Sequence, residues 1–370
     1  RLGDIPVLNA TQKMAISDLL RPASPPRQLD NVYSEDQLRR MLGLMHDKGP
    51  WQLIIAQHFS SAEELIATMS GGMPEGVTPQ LDWFLTPTFR GHYAEYSACL
   101  YPEIADCFYN ARFLELAKSY WHAEYAKPAK MLFNVNGPCG NTDPGHLDSP
   151  SFRGVRYENS PTWLCSVMGK SGLFHDHLIK MAQVITWFSH DEGSGFTYWP
   201  NGPLRAPGRL IPPVYNRGVL VQNEMMVHRG EANGPLGEQR PAGLNFETRF
   251  RGEPGNPDGW QAVNGEEVIA SYHTDDLRFL VHWSSEVFAD YAELKKNMDG
   301  TDDLTHEQAF DTLIKDCRAR GIDIATPSDP LHDPQFIMAL NAAYDFGGPA
   351  EYPAEAPVTP IYAAAASGVQ

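Results

Sequence analysis

The sequence predicts an α+β chain with a mainly β core of sandwich or jelly-roll type and helices before and after it. Three observations predict this. Glycine (31) and proline (30) are both frequent among 370 residues, which favours turns and short strands over a helical bundle. The apolar period changes from three-to-four to two near residue 131 and reverts near residue 286. Between those points, β-branched and aromatic runs alternate with Gly- and Pro-bearing turns. Hydrophobic residues at 42% and aromatics at 11% are enough for a real core.

Residues 1–30 are proline-rich and read as an extended arm. Ser34-Glu35-Asp36-Gln37 has the spacing of a capping box, with Leu38, Met41 and Met45 following at helical intervals. Ser61-Ala62-Glu63-Glu64 repeats the device. A third helical stretch runs from Pro102 to about residue 126. The first third is therefore expected to be mainly helical, without chemistry of its own. Met131–Asn136 reads as a strand, closed by the turn Gly137-Pro138-Cys139-Gly140-Asn141. Thr162–Met168, Ala182–Phe188, Phe196–Trp199, Gly218–Gln222 running on to Met225–His228, and Ala242–Phe250 read as further strands. Helical periodicity returns over 286–298, after Thr305, and over 334–344. The expected organisation is a helical N-terminal region (1–126), a β core (127–285), a helical C-terminal region (286–348) and an Ala/Pro-rich, mobile tail (349–370).

The formal net charge is −17, with 46 acidic against 29 basic residues. Such a surface repels nucleic acid and anionic membrane, so a small-molecule substrate is the expected partner. No apolar run approaches the roughly 18 residues of a membrane span. The N-terminus lacks a signal-peptide pattern. The five cysteines are scattered, odd in number and without a Cys-x-x-Cys pair, which argues against a disulfide framework or zinc ribbon and for a reducing cytoplasm.

The chemistry centres on Gly145-His146-Leu147-Asp148-Ser149. In an extended strand, His146 and Asp148 lie on the same side. An imidazole and a carboxylate side by side are two thirds of the 2-His-1-carboxylate set that holds non-haem Fe(II). His228 is the best third ligand, because it ends a strand-like run and a polar turn follows it. Arg240 then opens the next expected strand, where a guanidinium can grip the distal carboxylate of a dicarboxylate co-substrate. The second His-x-Asp, His273 and Asp275, lacks a later histidine and arginine at suitable spacing and reads as a solvated pair. His175, Asp176, His177 and His190 read as turn residues.

At this point the chain resembles the phytanoyl-CoA dioxygenase-like branch of the Fe(II)/2-oxoglutarate-dependent oxygenases. The resemblance covers about 110–252. It rests on His146-x-Asp148, on the run Gly193-Ser194-Gly195-Phe196-Thr197-Tyr198-Trp199-Pro200-Asn201-Gly202, and on His228 with Asn233 and Arg240 behind it. It implies a double-stranded β-helix core of the jelly-roll or cupin kind. It implies Fe(II) on His146, Asp148 and His228, with 2-oxoglutarate and O2 as co-substrates and Arg240 on the C5 carboxylate. The implied reaction oxidises an unactivated C–H, by default to the alcohol, and releases succinate and CO2. Asp148 itself favours hydroxylation, desaturation or ring formation over halogenation. Where the family often has Lys or Gln before the His-x-Asp, this chain has Asn134 and Asn136. Arg249 competes with Arg240 for the co-substrate. A cupin-type dioxygenase or isomerase without 2-oxoglutarate, and a jelly-roll binding module, are the alternatives.

Overall fold

The computed structural model describes residues 5–70, 77–140 and 143–358. Residues 1–4 of the expected arm, Asn141 of the expected turn, and 359–370 of the expected tail lie outside the described residues.

The strands, in chain order, are β1 (Arg27–Asp30), β2 (Trp51–Leu53), β3 (Thr88–Glu95), β4 (Ala98–Cys99), β5 (Tyr125–Asn136), β6 (Lys180–Phe188), β7 (Phe196–Trp199), β8 (Gly208–Leu210), β9 (Tyr215–Val221), β10 (Val227–Gly230), β11 (Arg249–Gly252), β12 (Gly259–Asn264), β13 (Glu267–His273) and β14 (Arg278–Phe288). They form an antiparallel core with helices around it. The large sheet has the order β1-β9-β6-β14-β5-β3-β2-β11-β12-β13, with β4 on β3, and a small sheet has the order β10-β7-β8.

Strand periodicity sets what each face of the large sheet meets. Odd residues of β5 (Met131, Phe133, Val135) and β14 (Phe279, Val281, Trp283) are buried in the main core. That core packs against the helices Glu35–Asp47, through Leu38, Met41 and Met45, and Ala111–Trp121, through Phe113 and Ala117. Up to the bulges at His92/Ala94 and Ser284/Ser285, the even residues of β3 (to His92), of β5 (from Lys130) and of β14 (to Ser284) turn to the opposite, inner face. Arg90, His92, Lys130, Asn134, Leu280 and His282 are each only partly buried there. Further along the sheet, the inner side chains of β6 and β9 (Ile185, Trp187, Val219, Val221) close against Phe196 and Met226 in an apolar cluster.

Several expectations are corrected. Thr162–Ser171 is a helix, not a strand. Trp163, Leu164, Cys165, Val167 and Met168 are all buried, and a run that is apolar all round does not distinguish a buried helix from a buried strand by its period. The run into His228 breaks at Asn223–Met226, and β9 and β10 belong to different sheets. Of the expected strand 242–250, only its end is strand, as β11. Asn245 makes a side-chain turn, its Oδ1 accepting from the Glu247 N–H at 2.8 Å. The strand at the centre of the large sheet, β14, was not expected. The part of the expected mobile tail that is described is docked: Tyr352 Oη donates to the Pro144 carbonyl at 2.7 Å, and the Trp199 indole donates to the Glu351 carbonyl at 3.2 Å. Among the described residues no helix is long and apolar enough to cross a membrane.

Candidate metal centre

His146 and His228 face each other at the edge of the small sheet. Each backbone N–H donates to the other's carbonyl, both at 3.0 Å, so the two residues form a hydrogen-bonded antiparallel pair. Their rings lie side by side with centroids 4.4 Å apart. Asp148, two residues on, points to the same side. Its N–H donates to the Asn223 carbonyl at 3.1 Å, in the break between β9 and β10, so that break positions the carboxylate. Asp148 Oδ1 lies 3.4 Å from His146 Nε2 and 3.2 Å from His228 Nε2. Among the described residues, His146, Asp148 and His228 are the group able to hold a metal ion, with one ligand atom each and all within 4.8 Å of one another.

The outer nitrogens are already engaged. His146 Nδ1 donates to Asp143, and His228 Nδ1 donates to the Met226 carbonyl at 2.8 Å. Each bond presents Nε2 to the centre, the arrangement that orients metal-binding imidazoles. Gly145 sets the entry to His146. Its φ of +127° suits glycine, and a Cβ there would stand 3.1 Å from Val227 and 3.2 Å from Pro349.

The electrostatics call for a cation. Burial pushes the Asp148 carboxyl up, but His228, His146 and His282 outweigh it and hold the group well below the usual carboxylate range. Desolvation by the surrounding protein pulls the His146 imidazole down, yet Asp143 and Asp148 outweigh it and draw it above its ordinary value. Two carboxylates thus hold a proton where a divalent ion would hold the same charges together. Two imidazoles and one carboxylate suit Fe(II), and the donor set fits that ion.

The remaining residues singled out in the sequence lie as follows. Asn134 and Asn136 share the inner face of β5. Asn134 Oδ1 accepts from Arg90 Nε at 2.8 Å, and Asn136 Nδ2 donates to Thr88 Oγ1 at 2.9 Å. Arg240 is not on a strand: it lies in the connection after β10, donates to the Asp82 carbonyl and stands 3.7 Å from the Asp82 carboxylate. Arg249 opens β11 and donates to the Glu247 carbonyl at 3.0 Å. His273 and Asp275 are an exposed pair. His190 is exposed and stacks on Tyr215, and His177 lies 3.6 Å from Asp302.

Sequence reasoning missed four residues near the centre. Asp143 is held out by no motif, only by its closeness to His146. His282 sits on the inner face of β14, with Nε2 3.9 Å from Asp148 Oδ2 and no hydrogen-bond partner. Arg90 is the third. The fourth, Arg278, is a buried guanidinium on the first residue of β14. Its Nη1 donates to the Glu231 carbonyl at 2.6 Å, and its Nε has no partner. A Cβ on Gly230 would stand 2.9 Å from Arg278 Nη2, so the guanidinium lies against β10 two residues beyond His228. Even parity along β5 and β14 was the available signal. It required knowing that β14 is a strand.

No family model matches the sequence, and no curated protein matches it. Among solved structures, the chain is similar to the non-heme alpha-ketoglutarate-dependent epimerase SnoN from nogalamycin biosynthesis. The TM-score is 0.37 at 9% identity, over 75% of this chain and 83% of that one. It is similar to HygX from Streptomyces hygroscopicus with nickel, 2-oxoglutarate and hygromycin B bound, at TM-score 0.32 and 10% identity over 76% and 88%. It is also similar to a prolyl 4-hydroxylase from Phytophthora capsici, at TM-score 0.30 and 10% identity over 91% and 92%. At these scores the likenesses assign nothing to individual residues.

Proposed function

We propose that the protein is an Fe(II)- and 2-oxoglutarate-dependent oxygenase of the phytanoyl-CoA dioxygenase-like kind, hydroxylating an unactivated C–H of a small organic molecule. One observation carries this reading: His146, Asp148 and His228 converge with Nε2, Oδ1 and Nε2 inward and both Nδ1 atoms tied off behind. The strand order supports a double-stranded β-helix. Side chains of β6 and β9 pack against those of β7 and β8 in one apolar cluster, and the His146–His228 bridge lies at the β10 edge of the small sheet.

Bound with 2-oxoglutarate and O2, the iron supplies the oxidising power to break a C–H bond, with succinate and CO2 as co-products. The chain's own residues bind, orient and exclude. Asp143 and the Met226 carbonyl fix the two imidazoles in one tautomer. Asp148 keeps a carboxylate in the position that a halide would otherwise take. Arg278, rather than Arg240, is the anchor for the C5 carboxylate of the co-substrate. Arg240 is occupied by Asp82 at the surface. Arg278 is buried beside β10, and burial lowers it only to about 10, so it stays charged at neutral pH. Among the described residues no carboxylate lies within 4.0 Å of it, and a buried cation without a counter-ion is unfavourable until an anion joins it. Asn134 and Asn136 line the wall beside it as neutral hydrogen-bonding groups.

The test is anaerobic Fe(II) with 2-oxoglutarate, followed by the visible charge-transfer band of the chelate, and then succinate formation on admitting O2. The reading requires both, and requires Asp148→Ala to lose both. Succinate formation that survives in Asp148→Ala would overturn it.

A further inference from the structure

The inner face of the large sheet carries charge that the metal centre does not use. The register puts Arg90, Asn134 and Leu280 in one row across β3, β5 and β14, and His92, Leu132 and His282 in the next. Lys130 and Ser284 begin a third row. His282 approaches Asp148, so the middle row lies beside the metal centre. Arg90 and Lys130 stand one row to either side of it.

Both cations meet only neutral groups. Arg90 Nε donates to Asn134, and its Nη1 lies 2.9 Å from His58 Nε2. Burial, reinforced by Arg90, lowers His58 to about 3, so that ring is neutral and accepts the bond. The Lys130 ammonium lies 4.3 Å over the Tyr157 ring. Among the described residues no carboxylate comes within 4.0 Å of either cation. The acids nearby do not balance them. Glu95 is held by His92 at 3.1 Å and by the Tyr157 hydroxyl. Burial pushes Glu224 up to about 8, so it keeps its proton at pH 7, with Oε1 accepting from Gln183 at 2.9 Å. Arg90 and Lys130 feel two carboxylates, Asp148 and Glu95. With Asp148 committed to the metal centre, two cations face the one carboxylate of Glu95, an excess of one positive charge on a partly open wall.

We propose that Arg90 and Lys130 dock a single carboxylate carried by the substrate, which makes the substrate a small organic acid. This rests on the oxygenase reading, since the wall is a substrate subsite only if the neighbouring centre oxidises what docks there. A carboxylate matches the excess charge, whereas a phosphate monoester brings close to two negative charges. With Nε on Asn134 and Nη1 on His58, Arg90 keeps its Nη2 donors for the anion. Two strand spacings, about 10 Å, separate the β3 and β14 backbones, so one small molecule can span from the anion site to the metal centre.

The probes are benzoate and hexanoate, their amides, and phenyl phosphate. Their binding is measured by calorimetry on the metal-free protein and by perturbation of the anaerobic Fe(II)·2-oxoglutarate band. The acids are expected to bind saturably in both forms, and the amides and phenyl phosphate about tenfold more weakly. Arg90→Gln and Lys130→Met should each erase the acid–amide difference and still form the 2-oxoglutarate band. If Arg90→Gln does not fold, Lys130→Met makes the same test. Equal binding of acids and amides by the wild type, or tighter binding of phenyl phosphate, would overturn the subsite. So would loss of the 2-oxoglutarate band in Arg90→Gln, which would make Arg90 the co-substrate anchor. If the metal-free wild type prefers benzoate yet forms no 2-oxoglutarate band, the oxygenase reading fails and the substrate assignment falls with it. A normal band without an acid–amide difference sinks the subsite alone.

Discussion

The metal centre and the wall beside it are built in opposite ways. The centre is local on either side of one long-range backbone pair, His146–His228. His146 is tied to Asp143 three residues before it, His228 to the Met226 carbonyl two residues before it, and Asp148 shares a face with His146. The wall is distributed: Arg90, Lys130, Arg278 and His282 come from three strands far apart in sequence and meet only through register. The centre also reaches the surface, the His146 side chain being 49% exposed, whereas Arg278 is buried. Short-range geometry aims each ligand, and the single His146–His228 pairing brings them together. Recognition of carboxylates needs charge held in a low-dielectric wall, which only long-range pairing builds.

The largest effect should come from breaking the local half. Asp148→Ala removes a ligand and should reduce Fe(II)-dependent succinate formation to background, a loss of at least about 100-fold, followed by coupled assay and metal analysis. The distributed half is struck by Arg278→Gln. This should weaken 2-oxoglutarate about 100-fold, since a charge-assisted fork is lost in a buried site, while Fe(II) binding stays near the wild-type value. A titration of the anaerobic band separates the two. Asp143→Asn sharpens the comparison from the other side. It should lower Fe(II) affinity by about tenfold to 100-fold and leave the 2-oxoglutarate affinity of the fully metal-loaded protein nearly unchanged.

A smaller effect concerns stability. Glu224 is buried in the wall, with its carboxyl raised from 4.5 to about 8. Between those values the folded chain keeps the proton and the unfolded chain has lost it, so stability falls as pH rises through that window. Glu224→Gln should flatten the decline, by up to about 4 kcal/mol between pH 5 and 8. Thermal unfolding of the metal-free proteins at both pH values checks it. The smallest effect is expected at Arg240. Arg240→Gln removes only a surface contact to Asp82 and should change 2-oxoglutarate affinity by less than about twofold. A loss as large as that of Arg278→Gln would reverse the assignment of the anchor.

Much of this was legible from residues alone, for stated reasons. Parity along a strand put His146 and Asp148 on one side, and Asn134 with Asn136 on another shared face. A capping box marked the start of Glu35–Asp47, and it is formed, because a cap is a contact between residues three apart. The apolar run at 163–168 misled, since its burial on all sides leaves no period to read. Arg240 was favoured because it follows His228 closely in sequence. The structure instead inserts β11, β12 and β13 before β14, the strand at the centre of the large sheet, and the buried arginine at the head of that strand, Arg278, is the anchor proposed above.

By itself, then, the sequence determined the shared face of His146 and Asp148 and the β character of the core, both legible from contacts within a few residues. Only the tertiary structure decided which cations are buried and which carboxylates they lack, because antiparallel register across β3, β5 and β14 aligns side chains that no local pattern relates.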